Sequence, residues 1–403
     1  MRIEFKKNWD IPVLIQVLHT ISAFANDFLN LNGGYIIIGI EERNGLPVLP
    51  PEGIEKHNID EIQKQIRGQC RRLDPEYQPL ISPEIYEGKQ ILIIWVPGGD
   101  VRPYQAPKKI DGKERAYYVR LGSQTVEAKG NILTELMQMT ARIPFDDRRN
   151  TSASIDIIAP TLVRHFLANI KSRLVERGTN ISDKDLYRSL RLCERINDHE
   201  VLKNIALLFF LHEPEQFFPY SRIEIVQFID DAGGDLIGEQ YFNGPLDFQI
   251  KQALNHLKTF CFTKIRKIKN QAEHEKIVTY PFDAIEEALI NAIYHKSYEV
   301  NEPVKVYIYP GRMEIISYPG PVPGIMGKHF RPPFSIPPVQ NRNRRIGEFL
   351  KDLKMAEGRG TGIPKILRSM SQNASPKPVF DFDDGRTYFR VILYKHLDWI
   401  INS

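Results

Sequence analysis

Apolar positions in the first third of the chain follow first a helical pattern and then a strand pattern. Within residues 12–28 they recur every three or four positions, which predicts a core-facing helix with Asp10 as its cap. The turn-forming Asn32-Gly33-Gly34 then leads into an uninterrupted apolar strand over residues 35–40. These patterns predict a compact α+β unit of about 140 residues, completed by a helix and two strands over residues 59–73, 91–96 and 117–121.

The next stretch, residues 142–154, is polar, charged and without periodicity, which predicts a linker between domains at residues 1–141 and 155–403. Nine prolines lie between Pro303 and Pro338, a density that excludes regular structure through most of residues 319–340. The other patterns of the second domain predict helices over residues 162–174, 183–190, 201–211 and 246–260, and strands over residues 222–228 and 261–268.

The composition of the 403 residues is that of a globular protein, with 42% hydrophobic and 26% charged residues. The net charge of +4 permits a nucleic acid or phosphate partner without requiring one. Cys70, Cys193 and Cys261 have no metal-binding spacing, so neither a disulfide framework nor a zinc site is indicated. A cytoplasmic location is expected. No apolar run approaches the roughly 20 residues that span a bilayer, so no membrane partner is expected.

One predicted helix, beginning near Asp283, carries a polar stripe. Asp283 and Glu286 have the spacing of a capping pair, and Glu287, Asn291 and His295 follow one another at intervals of four. A carboxylate one turn before an amide suits nucleotide chemistry, because Glu287 could polarise a water while the Asn291 oxygen ligates Mg²⁺. The alternative is a half-buried polar seam on a packed helix.

A glycine-rich segment precedes another predicted helix. Gly358, Gly360, Thr361 and Gly362 lie where backbone amides and a helix N-terminus favour a phosphate group. A glycine-rich helix entry without a ligand remains the alternative, since the segment matches neither a Walker A loop nor a full dinucleotide-binding fingerprint.

These motifs together resemble the RecG-like C-terminal ATPase domain, a relative of the GHKL ATPases with their Bergerat fold. The resemblance covers roughly residues 155–395 and rests on four segments in the expected order: residues 280–295, 312–320, 342–343 and 357–363. It implies an α/β sandwich with preceding helices that binds ATP and Mg²⁺, with Glu287 as the water-activating base and Asn291 as the Mg²⁺ ligand. The other cofactor-binding residues implied are His295, Gly320, Gly358, Gly360, Thr361 and Gly362. Lys296 stands where the family usually has arginine.

The first domain resembles the Schlafen AlbA-type domain, which occurs in transcriptional regulators ahead of such an ATPase. The segments that carry this resemblance are residues 3–6, 21–26, 33–42 and 118–123. In nuclease members a carboxylate trio gathers divalent metal, and Glu4 and Glu42 match two of its positions. The third would fall ahead of Met1, which makes nuclease activity the less expected outcome. Glu4 and Glu42 could equally be paired surface charges.

Cations of the first domain are candidates for contacting nucleic acid. Lys64, Arg67 and Arg71 have helical spacing, and Lys6 and Lys7 lie beside Glu4; such rows neutralise phosphates or are simply solvated. The sequence thus predicts a homo-oligomeric regulator in which Mg-ATP in the second domain controls nucleic acid binding by the first. One alternative is an ATP-regulated, metal-dependent nuclease acting on RNA or DNA, for example in defence. The other is a catalytically inert assembly scaffold. Whether ATP is hydrolysed stays open.

Overall fold

In the computed structural model the chain forms two compact units, and neither unit is continuous in sequence. The first contains residues 1–143, 149–154 and 194–202, and the second contains residues 144–148, 155–193 and 203–403. The model describes all residues except 1, 30, 56–57, 139–142, 173, 175–180, 197–198, 268–273, 323–324, 332–333, 338–340, 357–361 and 400–403. Both units mix helices and strands, which confirms the predicted fold class.

The first unit is built around a four-stranded sheet in the order β1-β2-β6-β5, in which only β1 and β2 are parallel. Smaller sheets are formed by β3-β4, β7-β8-β9 and β10-β12-β11. The strands are β1 (Ile3–Lys6), β2 (Gly34–Ile38), β3 (Glu42–Arg43), β4 (Leu46–Pro47), β5 (Leu80–Tyr86), β6 (Lys89–Val96), β7 (Gln105–Pro107), β8 (Arg115–Leu121), β9 (Gln124–Glu127), β10 (Arg149–Asn150), β11 (Cys193–Ile196) and β12 (His199–Lys203). The helices are α1 (Ile11–Asn26), α2 (Ile59–Cys70) and α3 (Gly130–Gln138).

The core of the first unit lies between α1, α2 and the sheet, because their apolar faces are buried together. The side chain of Asp10 accepts a hydrogen bond from Val13 N at 2.8 Å, which confirms the predicted cap of α1. Gly33 enters β2 with φ +70°, and a Cβ there would lie 1.8 Å from Val96 O, so the turn requires glycine.

The second unit contains a six-stranded sheet in the order β14-β13-β17-β18-β20-β19, with β13 and β17 parallel and the other pairs antiparallel. Its strands are β13 (Ile223–Phe228), β14 (Leu236–Phe242), β17 (Val304–Ile308), β18 (Arg312–Ser317), β19 (Val379–Asp381) and β20 (Phe389–Tyr394), beside the hairpin β15 (Thr263–Lys267) and β16 (His274–Val278). Its helices are α4 (Pro160–Asn169), α5 (Asp183–Ser189), α6 (Asn204–Phe210), α7 (Leu246–Lys258), α8 (Phe282–His295), α9 (Arg344–Asp352) and α10 (Gly362–Gln372). Short 3₁₀ turns cover Phe145–Asp147, Ile155–Ile157, Pro214–Gln216, Gly327–Phe330 and Leu397–Trp399.

The core of this unit forms where alternate strand residues meet apolar helix faces. Val304, Val306 and Ile308 are buried on β17, while Lys305 and Tyr307 between them are half-buried. Helices α7 and α8 pack on the sheet, and α10 packs on α8. No helix in the described part of the chain is long and apolar enough to cross a membrane.

Three local predictions differ from the structure. The described part of the predicted linker, residues 143–154, is built into both units: Phe145 is buried, and Arg149 binds Asp100 through its backbone and its guanidinium. The helix predicted over residues 201–211 is instead the end of β12 followed by α6. Helix α8 begins at Phe282 after Pro281 with no side-chain cap, so Asp283 lies inside its first turn rather than at its cap.

Candidate nucleotide site

Helix α8 positions the first two candidate residues. Its apolar face, which includes Ala284, Ala288 and Ala292, is buried, and this holds Glu287 and Asn291 at one side. The Asn291 Nδ2 donates a hydrogen bond to Glu287 Oε1 at 3.1 Å, and the Glu287 side chain is buried. Only the NH₂ group of an amide can donate. Glu287 therefore turns the Asn291 Oδ1 away from itself, which is the orientation that a cation ligand needs.

The first residue of helix α10, Gly362, lies next to the Glu287 and Asn291 side chains. A Cβ on Gly362 would lie 2.5 Å from Glu287 Oε1 and 2.6 Å from Asn291 Nδ2, so a larger residue there would displace the ends of these two side chains. Three residues later, Lys365 Nζ lies 3.3 Å from Glu287 Oε2. The structure thus brings Glu287, Asn291 and Gly362 together as the sequence predicts, and adds Lys365.

Arg342 links two other candidate residues, His295 and Gly320, to each other. The Arg342 guanidinium donates to the backbone oxygens of His295 and Gly320, which joins the C-terminal end of α8 to the loop after β18. Gly320 is itself packed tightly, since a Cβ there would lie 2.7 Å from Tyr388 O. The His295 ring is exposed and lies tilted against Tyr294. No described contact joins His295 or Gly320 to Glu287.

Two polar side chains, those of Asn343 and Lys296, form hydrogen bonds with backbone oxygens near the C-terminal end of α8. The Asn343 Nδ2 donates to Tyr294 O at 2.8 Å and Lys296 O at 2.7 Å, so it satisfies backbone oxygens that the helix leaves unpaired. Lys296 is buried and donates to Tyr220 O and Glu302 O. Burial lowers the pKa of Lys296 to about 7. The sequence pattern signals neither role, because Asn343 and Tyr220 lie far along the chain from the end of α8.

The glycine segment is described only from Gly362 onward. Gly358, Gly360 and Thr361, which the sequence predicts to bind phosphate, lie outside the described residues. The residues that are described fit a nucleotide with its cation: an amide oxygen turned away from Glu287, an ammonium group, and a helix N-terminus beside the Glu287–Asn291 pair.

In the first unit, the Glu4 side chain is engaged by cations. Its Oε1 lies 3.0 Å from Lys6 Nζ, and its Oε2 lies 2.5 Å from Nη2 of the buried Arg120. Glu42 is exposed on β3. Among the described residues, no three His, Cys, Asp or Glu side chains form a group that could hold a metal ion. In this structure the Glu4 carboxylate is therefore paired with two cations.

The candidate nucleic acid contacts differ in their surroundings. Lys64, Arg67 and Arg71 are exposed along one side of α2, whose opposite side buries Ile62 and Ile66. Lys6 donates to Gln16 as well as pairing with Glu4. Lys7 is held between Glu52 and Glu41, whose carboxylates raise its pKa. The α2 row is therefore the more accessible cationic surface of the two.

Comparisons with known proteins assign both domains. Residues 1–129 match the family model described as "Schlafen, AlbA_2", and residues 301–393 match the one described as "Putative ATP-dependent DNA helicase recG C-terminal". The second match includes Gly320, Gly362 and Lys365 and begins after α8. The comparison with curated proteins found no match.

Two examples follow of solved structures that are similar to the chain. The crystal structure of the DIP2311 protein from Corynebacterium diphtheriae is 16% identical with a TM-score of 0.49, covering 98% of this chain and 75% of that one. The solution structure of the N-terminal domain of a "Putative ATP-dependent DNA Helicase RecG-related Protein" from Nitrosomonas europaea is 32% identical with a TM-score of 0.23, covering 30% of this chain and 80% of that one. By the two family matches, the chain combines an N-terminal Schlafen AlbA_2 domain with a C-terminal domain of the RecG C-terminal family.

Proposed function

We propose that this protein is a nucleic-acid-binding regulator in which Mg-ATP, bound in the second unit, controls the first domain. The observation that carries the ATP site is the contact of Gly362 with Glu287 and Asn291. It joins α10, which lies inside the matched ATPase-type family region, to α8, which lies before it. The proposed site therefore includes Glu287 and Asn291, which lie outside the residues matched by the family model.

The side chains have separate roles in this proposal. Asn291 holds the cation through its Oδ1, and Glu287 orients Asn291 and supplies a carboxylate that can accept a proton from water. Bound Mg-ATP supplies a phosphoryl group whose charge the cation neutralises. Arg342 donates to the backbone oxygens of His295 and Gly320, so a ligand at Asn291 would lie about one helical turn from the end of α8 that Arg342 contacts.

The first domain supplies the nucleic acid surface in this proposal, with the exposed row on α2 as its described cationic feature. We place the protein in the cytoplasm, a reducing compartment that suits a chain with only three cysteines. Self-association belongs to the same proposal, with ATP changing the oligomeric state. Light scattering with and without Mg-ATP tests that part, and an unchanged mass contradicts it.

The test of the ATP site is calorimetric titration of Mg-ATP into the full chain, with phosphate release followed in the same samples. Asn291→Ala is expected to lose at least tenfold in affinity, because the cation loses a protein ligand. Asn301→Ala, at an exposed asparagine of the same unit, is the matched control and should bind like the wild type. A folded wild type that does not bind Mg-ATP contradicts the proposal. Phosphate release separates an ATPase from an ATP sensor.

A further inference from the structure

Lys365 is the one cation that the described structure places on the candidate base. Its Nζ lies 3.3 Å from Glu287 Oε2, while the other carboxylate oxygen accepts from Asn291. The Glu287 side chain is 9% exposed, whereas that of Lys365 is 30% exposed. The carboxylate is thus enclosed by two donors, and the ammonium group remains accessible to a ligand.

An anionic ligand at this site would add negative charge next to the Glu287 carboxylate. A phosphate group near Gly362 would bring negative charge beside the buried Glu287 carboxylate, and like charges in a poorly solvated site repel strongly. A lysine is suited to relieve this, because its compact ammonium group sits on a flexible four-carbon stem and can change partner within a few ångströms. The position of Lys365 in the first turn of α10 places it beside the Gly362 approach.

We propose that Lys365 is a phosphate-binding residue that exchanges partners: it neutralises Glu287 in the nucleotide-free protein and pairs with the terminal phosphate of ATP in the complex. This rests on the proposed ATP site and names a residue and a switch within it. The exchange also releases Glu287 Oε2 from the ammonium group, so the carboxylate becomes free to accept a proton from water only when the nucleotide is present. Nucleotide binding and base activation are thereby one event.

The exchange predicts effects of opposite sign at the two ends of the ion pair. Lys365→Met removes the partner of the terminal phosphate, so ATP affinity should fall at least tenfold, while AMP affinity changes less than twofold. Glu287→Gln removes the competitor for Lys365 and a nearby negative charge, so ATP should bind several-fold more tightly while phosphate release falls. A purely structural ion pair would instead weaken binding in both variants.

The experiment measures binding of Mg-ATP, Mg-ADP and AMP by calorimetry to the full chain. The decisive comparison is Glu287→Gln against the double variant Glu287→Gln/Lys365→Met, because both lack the Glu287 carboxylate and neither leaves it buried without its cation. At least tenfold weaker ATP binding by the double variant supports the exchange. Equal affinity overturns it. Arg368→Met, which removes an exposed cation from the same helix one turn later, is the matched control and should bind ATP like the wild type.

Two further outcomes separate this inference from the ATP site itself. If the wild type binds ATP and Asn291→Ala does not, but both Lys365 variants bind normally, the site stands and the exchange is wrong. If the folded wild type binds no nucleotide, both are wrong. A nucleotide-free readout comes from thermal denaturation: Lys365→Met should lower the melting temperature, and adding Glu287→Gln should restore part of the loss, because the exchange requires the ion pair in the free state.

Discussion

At the scale of single residues, a substitution of Gly362 should weaken nucleotide binding without lowering the stability of the fold. A methyl group there would meet the ends of the Glu287 and Asn291 side chains rather than backbone, so the pair must move while the fold is kept. We expect Gly362→Ala to weaken Mg-ATP binding at least tenfold, about 1.4 kcal/mol. The melting temperature should stay close to that of the wild type, because alanine also favours the helix.

The control for this variant is Gly327→Ala. A Cβ on Gly327 meets nothing within 4 Å, so this substitution should change neither binding nor melting temperature. Calorimetry and thermal denaturation of the three proteins provide the comparison. Wild-type affinity in Gly362→Ala would show that the close approach of α10 to Glu287 has no part in binding.

Glu4 is the second residue whose role a single substitution decides. Its carboxylate neutralises Lys6 and the buried Arg120, and Arg120 also binds Thr125. Glu4→Ala should therefore destabilise the first unit by about 2 kcal/mol, because a buried guanidinium loses its charged partner. Glu4→Gln should cost less, because a side chain of the same size keeps a polar amide oxygen beside Arg120.

Hydrogen exchange of the β1 amides measures this loss in the full chain. The control is Glu42→Ala on the exposed β3, which should stay within about 0.5 kcal/mol of the wild type. If Glu4→Ala were as stable as the wild type but abolished a metal-dependent cleavage of RNA or DNA, the ion-pair role would be wrong and the nuclease alternative would replace it.

At the scale of elements, helix α2 carries the prediction for nucleic acid. Replacing Lys64, Arg67 and Arg71 by Ala should weaken binding of a DNA duplex. The salt dependence should also become shallower, by about 0.9 in log–log slope for each phosphate that the variant no longer neutralises. The fold should survive, because the buried side of α2 is unchanged.

A variant with the same loss of charge is the control for the α2 row. Arg344, Lys351 and Lys377 are exposed in the second unit, and replacing them by Ala should leave the salt slope unchanged. Fluorescence anisotropy across a salt series, with a single-stranded RNA measured in parallel, gives the slopes. Equal slopes in the two triple variants would show that only net charge matters and that α2 is not the contact surface.

Local patterns predicted those elements whose signal lies within one helix or strand. The Glu287–Asn291 pair is four residues apart, so the sequence alone places both on one side of α8. Residues 201–211 are apolar except for Lys203 and Asn204, and short apolar stretches do not distinguish a strand from a helix. In the structure its first part pairs in the β10-β12-β11 sheet and only its second part is helical.

The contacts that the sequence did not predict join residues that are far apart in the chain. Asp146 lies in the predicted linker, yet its carboxylate is fully buried and accepts from Ile346 N at the start of α9, 200 residues away. Burial raises the pKa of Asp146 to about 6. Glu4 likewise pairs with Arg120, and Asn343 donates to backbone oxygens at the end of α8. No periodicity encodes such contacts, so the stretch around Asp146 was interpreted as a linker.

At the scale of the whole molecule, the proposal places ATP and nucleic acid in different units, and thermodynamic linkage makes their communication measurable. If saturating Mg-ATP changes nucleic acid affinity by some factor, saturating nucleic acid must change ATP affinity by the same factor. We expect a factor of at least five, about 1 kcal/mol, with a DNA duplex or a single-stranded RNA as the probe.

Asn291→Ala provides the internal check of this coupling. It should retain the nucleic acid affinity of the ATP-free wild type and show no response to Mg-ATP, because the α2 row is untouched while the cation ligand is removed. Titrations in both orders, each ligand alone and each with the other at saturation, give the two factors independently. A factor of one in both orders would mean that the two sites act independently, and ATP could then not be the regulator of the first domain even if it binds tightly.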